Sequence, residues 1–187
     1  MSTGRWRPLQ SSPAVELWDT IAAEAARESA LWAAALRPPA EQEREPVFSP
    51  LGEARYALGL ETIYEAYLLH FGRPRLFAPP DADGTLLLGD YLYAHGLVRI
   101  AVHGEVAAVV DLAELVSLCA YLRAEGAGGD GPLWAATAAL LGAGELAAAR
   151  AALREEGDPA PLLELARMAA GPAAVEHALG AHARRFG

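Results

Sequence analysis

The chain has 187 residues and a formal charge of −9, with 53% apolar and 21% charged residues. These values fit one soluble domain of 1–187 and exclude wholesale disorder, while the acidic balance excludes a nucleic-acid or anionic-membrane partner, which would need clustered cations. Ala (42) and Leu (28) dominate and Lys and Asn are absent, so all 15 basic residues are Arg, a bias toward helix over strand.

Punctuation by Pro and Gly divides the chain into helices. Residues 1–11 read as a loose start. Ser12 as N-cap with Pro13 at the first helical position opens a helix to about Leu36, which stops before Pro38-Pro39. A polar linker follows over 37–48. Ser49-Pro50 repeats the start signal, and that helix is expected to run to Gly72. The Pro-rich residues 73–82 form a loop, Asp83 caps a third helix ending at Gly104, and a fourth runs from Glu105 to about Glu125. The Gly-rich break 126–131 precedes shorter helices at roughly 132–142, 144–156, 160–170 and 172–185.

Single residues carry little chemistry by themselves. Cys119, between Leu118 and Ala120, reads as a buried inert thiol, and the one cysteine fits a reducing cytoplasm. Tyr91, His95, Arg99 and His103 form one polar stripe on the third helix, a packing and solvent face rather than a metal site. His70 at a helix end is expected to meet the last carbonyls. Asp90 falls among Leu86, Tyr93, Leu97 and Ile100, which predicts an interior carboxylate with a bonded partner. Glu61 and Glu65, spaced i, i+4, read first as a solvated acidic face and second as a pair of metal ligands. No stretch is apolar enough for a membrane span, and no signal peptide is evident.

One run of residues carries more. The segment ETIYEAYLLHFGRPRLFAPPDADGTLLLGD, Glu61 to Asp90, resembles the core of the trans-isoprenyl diphosphate synthases, the polyprenyl synthetase family. Glu61, Thr62 and Glu65 fall on the aspartates of DDxxD; His70 and Phe71 fall on an arginine pair; Gly72, Arg73 and Pro74 keep the turn; Gly89, Asp90, Tyr91 and Leu92 keep the next motif. GPLWAATAALLGAG from Gly131 is similar to the family's KTA-type helix with Gly for Lys. The resemblance implies an all-α bundle of the isoprenoid-synthase type, shortened. It implies substrate or metal contacts at Glu61 and Glu65, a substrate anion contact at Arg73, and structural roles for Gly89, Asp90 and Tyr91.

In that family two acidic motifs hold Mg²⁺ on a diphosphate. Here Thr62 removes a charge, the arginines are missing and no second aspartate motif follows. The implied function is therefore a non-catalytic homologue, similar to the small subunits of two-component hexaprenyl and heptaprenyl diphosphate synthases. Its partner would be a catalytic subunit or a second copy, its ligand class an isoprenoid diphosphate, and Mg²⁺ would enter only within a complex. Ala94, Gly96, Ala108 and Ala120 would line its product channel or serve ordinary helix packing. Two alternatives remain: a short Mg-dependent prenyltransferase using Glu61 and Glu65, and a homodimeric helical structural or lipid-binding protein.

Overall fold

A computed structural model describes residues 13–186 and is all-helical. The expected loose start and the Ser12 cap lie outside the described residues. The helices are α1 (Pro13–Glu28), α2 (Ala30–Ala35), α3 (Ala57–Phe71), α4 (Ala82–Ala101), α5 (Val106–Ala124), α6 (Asp130–Ala139), α7 (Ala147–Glu156), α8 (Ala160–Ala170) and α9 (Pro172–Ala183). Among the described residues none forms a strand; a single bridge joins Leu36 to Phe77.

The departures from the expected boundaries have local causes. The first helix breaks at Ser29, whose extended backbone lets its hydroxyl accept from the amide of Leu31, so one expected helix becomes two. The second begins at Ala57 instead of Ser49, because Pro50 and Gly52 leave only short 3₁₀ turns at Ser49–Leu51 and Ala54–Tyr56. The cap of α4 is Asp81, whose carboxylate accepts from the amide of Gly84 at 2.7 Å, two residues before the expected Asp83.

The segment 37–48 is bound along the loop after α3. The amide of Arg37 donates to the carbonyl of Leu76 at 2.9 Å, and that of Glu43 to the carbonyl of Arg75 at 3.2 Å. The amide of Ala78 donates to the carbonyl of Ala35 at 2.7 Å.

α3 and α4 form the most extensive helix pair and run antiparallel, as a return loop of about ten residues allows. Glycine sets their separation. A Cβ on Gly96 would lie 2.4 Å from Cγ1 of Ile63, and one on Gly59 would lie 2.5 Å from Cδ1 of Ile100. The absent side chains are thus what lets the two backbones approach. The larger core joins α3, α5, α6, α8 and α9 around Phe48, Tyr64, Tyr67, Leu112, Leu115 and Trp134. A smaller one joins α1, α3, the loop and α4 around Trp18, Ile21, Leu76, Phe77 and Leu88.

Candidate functional site

α3 is apolar around nearly its whole circumference, and its two glutamates point inward. Glu61, Glu65 and Arg75 are each 0% exposed. Arg75, in the loop beyond α3, reaches back between the two carboxylates. Its Nη1 donates to Glu61 Oε2 at 2.6 Å and its Nε to Glu65 Oε2 at 2.9 Å. The remaining oxygens are filled by backbone amides. Val47 and Ser49 donate to Glu61 Oε1, both at 3.0 Å, while Arg75 and Leu76 donate to Glu65 Oε1 at 2.8 and 2.7 Å.

The guanidinium lies over the rings of Trp18, at 4.5 Å, and Tyr64, at 4.9 Å. Burial alone would lower its pKa, but the two carboxylates override this and raise it. Two carboxylates and one guanidinium leave one negative charge inside, and four N–H dipoles offset it.

This geometry corrects the reading of Glu61 and Glu65 as a wet face. The i, i+4 spacing aligned them as expected, but toward a cation the spacing cannot reveal. All four oxygens are engaged, so neither side chain has a lone pair directed at open space for Mg²⁺. Among the described residues, no group of three or more His, Cys, Asp and Glu side chains could hold a metal ion. Thr62 is also buried, its hydroxyl donating to the carbonyl of Leu58 at 2.6 Å and accepting from Arg99.

Asp90 requires the opposite correction. Its side chain is 65% exposed, with Oδ1 at 3.3 Å from Nε2 of His70, so it is no interior lock. Of the apolar residues that suggested burial, Ile100 is in the core and Tyr93 and Leu97 are half-buried against it, but Leu86 is 54% exposed, and Asp90 lies on that solvent side of α4. Gly89 is buried because the ring of His70 fills the space of its missing Cβ. His70 stacks on Tyr93 at 5.2 Å, and burial lowers its pKa against the opposing pull of Asp90.

Tyr91 is half-buried and stacks on His95 and Trp32. Arg73 is exposed and caps the carboxyl-terminal end of the chain: its amide donates to the carbonyl of Arg185 at 3.1 Å and its guanidinium to that of Arg184. Of the small residues considered for a channel, Gly96 and Ala108 are buried in helix contacts, whereas Ala94 and Ala120 are exposed; the fold does not bring the four together.

A second polar network escaped the sequence reading. His182 of α9 places Nε2 at 3.1 Å from Asp130 Oδ2 and Nδ1 at 2.9 Å from the hydroxyl of Tyr64. The same Asp130 oxygen accepts from Tyr67 at 2.5 Å and from Arg123, whose Nε also donates to the Tyr67 hydroxyl at 2.8 Å. Burial would raise the Asp130 pKa, but the bonds from His182 and Tyr67 and the charge of Arg123 hold it well below the usual carboxylate range. Burial is likewise the main cause that pushes the Tyr64 and Tyr67 hydroxyls upward. The members come from α3, α5, α6 and α9, and no spacing links residues 64, 67, 123, 130 and 182. The only available signal was the run of polar residues inside apolar helices, each needing a partner.

A third pair, Arg150 and Asp111, at 2.8 Å, ties α7 to α5, and Asp111 also accepts from the amide of Gly142. Among the grooves formed by the described residues, one of about 590 Å³ is lined by Leu17, Trp18, Pro46, Ser49, Pro50 and Leu58. Another, of about 470 Å³, runs beside Val106, Val110, Asp111 and Arg150.

Among the described residues, no helix is long and apolar enough to cross a membrane. No family model, curated protein or solved structure matches the chain.

Proposed function

We propose that this protein is a non-catalytic accessory subunit in isoprenoid chain elongation, working beside a catalytic polyprenyl diphosphate synthase. The observation that carries this reading is the occupation of Glu61 and Glu65 by Arg75. These are the positions the motif run sets on the metal-binding aspartates. Ionising an allylic diphosphate requires Mg²⁺ held by carboxylates from facing helices. Here the carboxylates are bonded internally, while the antiparallel α3–α4 pair that would carry them persists. Mg²⁺ and the diphosphate would belong to the partner. The groove beside Trp18 and Leu58 is apolar and of a size to accept part of an isoprenoid tail.

The test is incorporation of a labelled five-carbon diphosphate into an allylic diphosphate, with Mg²⁺. The purified chain alone should give no product, and adding it to a catalytic synthase from the same cell should change the rate or the product length. Elongation by the chain alone that is lost in Glu61→Gln with Glu65→Gln would overturn the proposal in favour of a short prenyltransferase. No effect on any synthase would remove the isoprenoid reading and leave a structural or lipid-binding role.

A further inference from the structure

One outward stripe of α5 carries no charge, and the half-exposed Glu114 beside it is paired with Arg154 of α7. Val106, Val110, Ala113, Ser117, Ala120 and Ala124 are all exposed, and they recur at alternating steps of four and three. That is the 3.5-residue period of a helix seam packed against another helix, and not the charged pattern of a wet face. Val106 is 75% and Val110 54% exposed. α4 likewise leaves Leu87, Val98 and Val102 exposed, and Tyr121 of α5 is 48% exposed. Val106, Val110 and Tyr121 are large apolar side chains of α5 left about half or more exposed, and a standard interface, which buries ~800 Å² per partner, would cover them.

The order of sizes along the seam identifies the occupant. The valines stand in the amino-terminal half and the alanines in the carboxyl-terminal half. A second α5 laid antiparallel about a two-fold axis sets Val106 against Ala124, Val110 against Ala120 and Ala113 against Ser117. Every level then joins a larger residue to a smaller one, at nearly constant spacing. A parallel pairing would wedge the helices apart at the valines and leave a gap at the alanines.

We propose that two copies of this chain associate through this antiparallel α5 seam. The small residues at its centre allow close backbone approach, and the absence of charge lets two chains of formal charge −9 meet there. The pairing is independent of the isoprenoid reading, since its readout is mass and cross-linking.

Light scattering at micromolar concentration should give twice the 19.7 kDa of one chain. Ala113→Arg should return it to a single chain with unchanged circular dichroism, because Ala113 is exposed. Under mild oxidation, Val110→Cys with Ala120→Cys should form a covalent dimer, and Val110→Cys alone should not. Three results would each overturn the proposal: a wild-type monomer, as expected if a different protein covers this face; a dimer that survives Ala113→Arg; or efficient cross-linking through Val110→Cys alone, which requires parallel helices.

Discussion

Arg75 meets Glu61 at 2.6 Å with neither side chain exposed to water, although fourteen positions and a helix end separate them. Removing Arg75 leaves two buried carboxylates without a counter-charge, and removing Glu61 takes the acceptor from the buried amides of Val47 and Ser49 and from Nη1 of Arg75, so each change costs about 3–5 kcal/mol. Glu61→Ala and Arg75→Met should each lower the melting temperature by roughly 10 °C in a domain of this size, read by calorimetry. Asp90→Ala, at an exposed pair, should change it little. A neutral Glu61→Ala would show that the amides of Val47 and Ser49 find other acceptors and that Glu65 alone balances Arg75.

Gly96 tests the separation of α3 and α4. Alanine there improves helix propensity by up to about 1 kcal/mol. Its Cβ, however, meets Ile63 at 2.4 Å inside a packed contact, and overpacking of that kind costs about 1–3 kcal/mol. The net expectation is destabilisation, seen as a lower denaturant midpoint. A stabilised Gly96→Ala would mean the helix pair can move apart freely.

Acid stability should have two separate windows. His70 has a folded pKa below its ordinary 6.5, so the folded state binds fewer protons; its contribution is full above about pH 6.5 and is lost as the pH falls through that value. Asp130 is lowered from 3.8, so its contribution is present above about pH 4 and is lost as the pH falls further. Melting temperature against pH should therefore flatten below about pH 6.5 in His70→Gln, and below about pH 4 in Asp130→Asn. If His70→Gln leaves the first slope unchanged, His70 is not the group that sets it.

Cys119 is 1% exposed, and burial raises its thiol well above the usual range. It should resist alkylation at neutral pH in the folded protein and react fully once denaturant unfolds it. Rapid labelling of the native state would reveal an opening of α5.

The sequence by itself determined that the chain is helical, and where most helices lie. Proline and glycine act locally: Pro13 and Pro172 begin helices in the structure as expected, Gly72 ends α3, and residues 160–170 form α8 without adjustment. The α3–α4 pairing was legible too, from a loop short enough to return the chain. Which carboxylates lie inside was decided only by tertiary structure. α3, α4 and α5 are apolar around most of their circumference, so periodicity carries little direction. An acidic residue on such a helix is read from its sequence neighbours, which placed Asp90 inside and Glu61 outside. What reverses both is remote: Arg75 folds back from the loop to pair with Glu61 and Glu65, while Asp90 lies at the solvent edge of the α3–α4 contact, 65% exposed beside His70. The energy of burying a charge depends on a counter-charge brought by the fold, and one-dimensional spacing does not contain it.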